Sequence, residues 1–203
     1  MKDAGGGLAF LVHNSIQFQP LPDIQDPHIE YLAIKIMNIT IVNIYIPPTS
    51  SCTQGYTPSI TRFLPDSDAV CLGDFNAHDT LWHSSLQDAR GSLIAEEIGN
   101  SNLGVLNNEK PTRSPKQGQK TSPDISLASF SLLPVSEWDV HTTFSSDHLP
   151  ITITISATIE KSFSERKTFI NFNKAKWDEF KTLTEEEKMN PKMYTQLKND
   201  SET

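Results

Sequence analysis

The sequence predicts a domain that mixes α and β structure. Three observations predict it. Short apolar segments with the two-residue period of strands recur as far as Ile155. One stretch between them, Ser92 to Asn100, has helical spacing instead. Apolar residues make up 36% of the 203 residues, enough for one core.

Taken in order, Leu8–Val12 follows three glycines and reads as a strand. Tyr31–Ile36 and Ile39–Ile46 flank Met37-Asn38, which reads as a tight turn. The second of these alternates, with Ile39, Ile41, Asn43 and Tyr45 on one face and Thr40, Val42, Ile44 and Ile46 on the other. Ala69–Leu72 is short, apolar and ended by Gly73. The helix over Ser92 to Asn100 carries Leu93, Ile94, Glu97 and Ile98, with Gly99 and Asn100 as a stop. Asp124–Ala128 and Ile151–Ile155 are further strands. In the last, isoleucine alternates with threonine, so one face is buried. After about residue 160 charged residues become dense and strand patterns vanish. Residues 1–160 are thus expected to form the domain. Residues 161–203 are expected to form a linker with one amphipathic helix in KWDEFKTLTEEEK, using Trp177, Phe180 and Leu183 or Thr184 as its apolar face.

Formal net charge is −8 and the pI about 5.2, which argues against holding nucleic acid by bulk electrostatics. It leaves room for an enzyme that clusters carboxylates around a cation. Local charge differs from the total: Lys110, Arg113, Lys116 and Lys120 share one stretch with only Glu109 against them. No apolar run approaches the ~20 residues that span a bilayer. The first residues lack the pattern of a signal peptide, so an intracellular location and no membrane partner are expected. Cys52 and Cys71 read as free thiols.

Chemistry concentrates where strands end. In CLGDFNAHDTLW, Asp74 and Asn76 are two apart, so sustained strand geometry points both the same way and turns Phe75 into the core. A sheet fixes the backbone there and the loop exposes the side chain. A carboxylate beside a carboxamide suits a phosphate, the first binding a proton or metal and the second donating to a non-bridging oxygen. The plainer alternative is an Asx-rich turn. In FSSDHLPITITI, Ser146, Asp147 and His148 precede a strand. Asp147 can ligate a hard cation such as Mg²⁺, and His148 can be a general base or a cationic contact to phosphate. A polar loop with a capping Asp is the alternative. In TSPDISLAS, Asp124 either simply opens a strand or accepts a hydrogen bond from an imidazole and fixes its tautomer. Tyr45 in VNIYIPP closes the alternating strand before Pro47-Pro48, an ordinary place for a tyrosine.

The ordered set IVNIYIPP, CLGDFNAH, TSPDISLAS and SSDHLPI resembles the endonuclease/exonuclease/phosphatase superfamily, and most of all the apurinic-type endonuclease domain of non-LTR retrotransposons. GGGLAFLV, the PTR before the acidic strand, and FNKAKWDEF fit the same pattern. The last resembles the connector between endonuclease and reverse transcriptase. The resemblance implies an α/β fold, a four-layer sandwich of two β-sheets flanked by helices. It implies a Mg²⁺- or Mn²⁺-dependent endonuclease that nicks DNA to prime reverse transcription, nuclear when acting on DNA, and continuing covalently into a reverse transcriptase. Asp74 would polarise the attacking water or protonate the leaving oxygen. Asn76 would steady the nucleophile or transition state, and Asp124 would orient His148. His148 would be base or phosphate contact, Asp147 would hold the metal, and Tyr45 would contact the region of the scissile phosphate. Ser146, Thr112 and Thr121 would support substrate or site. On local charge rather than the resemblance, the basic stretch with Arg113, Lys116 and Lys120 is expected to be an exposed loop near the site that supplies phosphate contacts, an ordinary solvated loop being the alternative.

Members of that family open with a strand carrying an Asn and then a segment carrying a metal-binding Glu. This chain enters at GGGLAFLV, after both. The expectation is therefore a fold incomplete at its N-terminus, a metal pocket short of one carboxylate and, in consequence, impaired nicking. His83 also stands where related elements have Gly. Alternatives left open are another phosphodiesterase or phosphatase of the superfamily, and a catalytically dead remnant with weak nucleic-acid binding.

Overall fold

Two β-branched segments joined by two residues make the first hairpin. In the computed structural model, which describes residues 7–142, 146–156 and Thr182, Met37 takes φ +55° at the turn, the left-handed start that a two-residue hairpin loop favours. The hairpin joins β2 (Glu30–Ile36) to β3 (Ile39–Tyr45), in register from Ile36↔Ile39 to Glu30↔Tyr45. A short β1 (Gln19–Pro20) lines the outer edge of β2. β4 (Ala69–Asp74) lies parallel to β3, after a crossover with 3₁₀ turns at Thr49–Ser51 and Thr61–Phe63. Helix α1 (Ala89–Gly99) leads to β5 (Leu103–Val105) and β6 (Asp124–Ser129). The six-stranded sheet runs β1-β2-β3-β4-β6-β5, and β7 (Ser136–Val140) with β8 (Ile151–Ile155) forms a second, two-stranded sheet.

The alternation in β3 decides the layers. Val42, Ile44 and Ile46 are fully buried on one face with Cys71, Ile125 and Leu127, against Ile94 and Ile98 of α1, Phe63 and Trp82. Ile39 and Ile41 lie on the other face with Val70, Leu72 and Ala128, packed on Ile153 and Ile155 of the small sheet. The large sheet is therefore apolar on both faces, each buried aliphatic side chain contributing about 1.5–3 kcal/mol. Helix α1 and the two sheets supply three layers of the α/β sandwich among the described residues. Both thiols are free.

Strands β1, β5 and β7 are not among the sequence expectations, and the structure departs from those expectations elsewhere too. Residues 8–12 join neither sheet, and Leu11 is fully exposed; strand propensity takes effect only against a partner, and β1 already occupies the edge of β2. β4 does not stop at Gly73 but runs through it to Asp74. At that glycine (φ +153°) a Cβ would sit 1.7 Å from the Ile44 carbonyl oxygen, so only glycine lets the two strands approach. Helix α1 begins at Ala89 rather than Ser92, because Asp88 caps it by accepting from the Gly91 N–H at 2.6 Å.

The chain divides into two compact units, Met1–Lys161 and Ser162–Thr203. The fold above is that of the first. Of the second only Thr182 is described, helical and exposed; the rest of the helix expected over residues 176–188 lies outside the described residues.

Candidate active site

Register places the polar residues. Glu30, Tyr45, Asp74 and Asp124 are neighbours across β2, β3, β4 and β6, a single row at one end of the sheet. The row continues the face that packs on the small sheet, since Asp74 follows Val70 and Leu72 at two-residue steps. His148 arrives from the segment just before β8. A cleft of about 340 Å³ opens between the sheets beneath the row, lined by Leu72, Gly73, Asp74, Asp124, Ser126, Ile151 and Ile153 among others.

At the centre of the site, one carboxylate orients one imidazole. His148 Nδ1 donates to Asp124, 3.0 Å from each oxygen. Thr112, fully buried, donates its hydroxyl to Asp124 Oδ2 at 2.7 Å and accepts from the Asp124 N–H at 3.2 Å. The bond from Asp124, aided by the charges of Asp124, Asp74 and Asp147, holds the His148 imidazolium above its usual range against a smaller effect of burial. One ligating atom each from Asp74, Asp124 and His148 lies within 4.8 Å of the others.

Asp74 is paired differently. Its Oδ1 accepts from the Asn76 N–H at 3.0 Å and its Oδ2 from Asn76 Nδ2 at 3.1 Å. Burial raises its carboxyl above the ordinary carboxylate range, with Asp124 adding to the rise and the Asn76 and His148 interactions opposing it. Sustained strand geometry is not what brings Asn76 here. The strand ends at Asp74, and Asn76 adopts φ +44°. That left-handed residue curls the carboxamide back on Asp74 and onto the Ile46 carbonyl at 3.0 Å, while Phe75 is fully buried. Burial raises the Tyr45 hydroxyl, with the Asp74 and Glu30 charges adding to it.

The remaining candidates form the rim. Arg113 pairs with Asp147 through Nη2 at 2.6 Å and Nε at 2.8 Å, both side chains being partly exposed. Asp147 is therefore turned to a guanidinium and lies outside the group of Asp74, Asp124 and His148. The Ser146 hydroxyl accepts from the His148 N–H at 3.2 Å. Arg113 forms backbone bridges with both Thr121 and His148, which stitches the basic loop to the site. Thr121 is buried, and Lys116 and Lys120 stand exposed on that loop. His78, whose imidazole is lowered chiefly by burial, bonds to Ser84 through Nδ1 and stays out of the cluster.

Four residues that sequence reasoning passed over hold this arrangement. Asn107 donates to the Asp124 carbonyl at 2.9 Å and accepts from the Ser126 N–H at 2.8 Å, fixing the start of β6. Trp82 Nε1 donates to the Ser122 carbonyl at 3.1 Å. Arg90 is buried in the first turn of α1. Gly91 lets that turn close on residue 78, where a Cβ would lie 1.9 Å from the carbonyl oxygen. Arg90 alone left a signal, because a cation sits badly at a helix N-terminus.

Residues 39–152 match the family model described as Endonuclease-reverse transcriptase, more than half of the chain. The chain is 27% identical over 160 residues to the probable RNA-directed DNA polymerase from transposon BS of Drosophila melanogaster, covering 74% of this chain and 17% of that protein. It is 30% identical over 162 residues to the corresponding probable polymerase from transposon X-element of the same fly, covering 76% and 18%. The chain thus spans less than a fifth of the length of these relatives. Among solved structures, the endonuclease domain of TRAS1, a telomere-specific non-LTR retrotransposon, aligns with TM-score 0.55 and 22% identity over 72% of this chain and 71% of that one. The fold is thus shared with a retrotransposon endonuclease domain, and with the family match spanning most of β3 to β8 the chain belongs to the endonuclease–reverse transcriptase family.

Proposed function

We propose that this domain hydrolyses phosphodiesters with a divalent cation, as a DNA endonuclease whose nick leaves a 3′-hydroxyl for reverse transcription by a polymerase that continues the chain. The observation that carries the reading is the convergence of Asp74, Asp124 and His148, with Asn76 tied to Asp74. Hydrolysis needs an activated water, a neutralised phosphate and a protonated leaving oxygen. Asp74, raised by burial, is suited to exchange a proton with water or the leaving oxygen. Asn76 gives both amide hydrogens to the Ile46 carbonyl and Asp74, so it would steady Asp74 and would donate to a phosphate oxygen only by releasing one of them. His148, raised by Asp124, is most apt as the cationic contact to phosphate and, once deprotonated, as a base. Tyr45, next in the row to Asp74, would border the scissile group.

Hard oxygen donors suit Mg²⁺ or Mn²⁺. The carboxylates of Asp74 and Asp124 fit such an ion, and Asp147 would join them only by releasing Arg113. When bound, the cation would supply charge neutralisation at the scissile phosphate. Asp124 already serves His148 and Thr112, so we propose that the cation is held weakly and activity of this chain is low. Arg113, Lys116 and Lys120 would carry the DNA backbone, which the acidic whole does not attract.

The test is relaxation of supercoiled plasmid with Mg²⁺ or Mn²⁺ and with chelator, followed by polymerase extension from the nick. Metal-dependent nicks that extend, and that vanish in Asp74→Ala, are expected. A folded chain that never nicks, or whose nicking survives Asp74→Ala, would exclude the reading. Release of phosphate from monoesters without nicking would favour a phosphatase instead.

A further inference from the structure

Arg90 is only 8% exposed, and among the described residues it forms no ion pair. A buried guanidinium is costly unless its donors are used. Here they go to backbone and sulfur. Nη1 donates to the Pro47 carbonyl at 2.8 Å and reaches the carbonyls of Asn76 at 3.3 Å and Phe75 at 3.5 Å, while Nη2 lies 3.7 Å from Cys52 Sγ. Pro47 follows Tyr45 and Ile46, and Phe75 and Asn76 follow Asp74, so one side chain bridges the exits of β3 and β4. It does so from the α1 face of the large sheet, opposite the polar row. The bridged peptide is strained. Asn76 takes φ +44°, a region asparagine tolerates better than other side chains but still at a cost, so its contacts decide how fully it is populated. Its carboxamide bonds to Ile46 and Asp74 lock it from one side, and Arg90 holds its carbonyl from the other.

We infer that Arg90 is a positioning residue, its guanidinium tying the Pro47 and Asn76 carbonyls together and so holding Asn76 in the left-handed conformation that presents its carboxamide to Asp74. Gly91 makes this possible by letting the first turn of α1 lie against the His78 carbonyl. The geometric claim stands alone; its catalytic consequence rests on the phosphodiester reading above. Lysine keeps the charge, but its side chain ends one bond short of Nη1, the nitrogen that serves both carbonyls, and it has no second nitrogen for Cys52; methionine keeps bulk without charge.

The experiment compares Arg90→Lys and Arg90→Met with the parent chain in three measurements: thermal unfolding, the backbone and side-chain NMR shifts of Asn76, and kcat and KM for plasmid nicking. At least one variant should fold. In it the Asn76 carbon shifts should leave the left-handed range, and kcat should fall on the order of 10²-fold with KM unchanged, the scale of a small misplacement of a reacting group. A folded variant with parental Asn76 shifts and kcat would overturn the proposal. Unfolding of both variants would also overturn it, assigning Arg90 to stability alone. Should the parent itself not nick, the phosphodiester reading fails, and the Asn76 shifts still decide the positioning role.

Discussion

Replacing Asp124 with asparagine should destabilise the protein more in acid than in alkali. In the parent, His148 Nδ1 sits 3.0 Å from both Asp124 oxygens, with the side chains 37% and 16% exposed. A hydrogen bond to a charged group is worth about 1.5–3 kcal/mol when buried; partial exposure screens this by roughly half, leaving about 0.8–1.5 kcal/mol. The Asp124 bond raises the His148 imidazolium above its unfolded value. A group raised on folding stabilises fully below its unfolded pKa, about 6.5, and that stabilisation is lost as pH climbs through the higher folded value. Asp124→Asn should therefore lower Tm by roughly 2–6 °C at about pH 5.5, at ~2–4 °C per kcal/mol for a domain of this size, and by less at about pH 9. Scanning calorimetry with chelator present, and an NMR titration of His148, measure both sides of the linkage. The titration midpoint should fall in the variant. A Tm loss that is equal at the two pH values, or an unmoved midpoint, would refute the reasoning.

Reversing Lys116 and Lys120 to glutamate should weaken DNA binding and flatten its salt dependence, by up to about 2 in the log–log slope if each lysine neutralises one phosphate; unchanged binding and slope in a salt series would deny the loop that role. Gly91→Ala should unfold the protein or cost several kcal/mol, since the new Cβ falls 1.9 Å from a backbone oxygen on the order of a severe core overpacking; a denaturant melt matching the parent would contradict the geometry. His83 sits exposed at φ +58°, so His83→Gly should be neutral or stabilise by up to about 1 kcal/mol, as relief of left-handed strain outweighs the added freedom of the unfolded chain. A clear loss of stability on thermal melting would show that the imidazole makes an unrecognised contact.

Residues that meet through register were the most legible in the sequence. Alternation in Ile39–Tyr45 divided its side chains between two faces, because of the two-residue period of a strand; the structure assigned one face to the helix and the other to the small sheet. The strand-end placement of Asp74 and Asp124, with His148 just ahead of β8, was visible for the same reason, although their mutual distance was not. The sequence also marked Gly73 as special, but only as the end of a strand. Tertiary structure decided that the strand runs on, because the requirement comes from the Ile44 carbonyl packed against it. Leu8–Val12 failed as a strand because a period in one segment carries no information about a free sheet edge. Arg90, Gly91 and Asn107 were illegible in function, since each acts on carbonyls or amides that lie between 13 and 43 residues away in the chain. What the sequence determined by itself was periodicity, and with it the faces and the order of the motifs. What only the tertiary structure decided was close approach: the left-handed turn at Asn76, the Asp147–Arg113 pair, and the buried guanidinium behind them, all consequences of distances that no local pattern encodes.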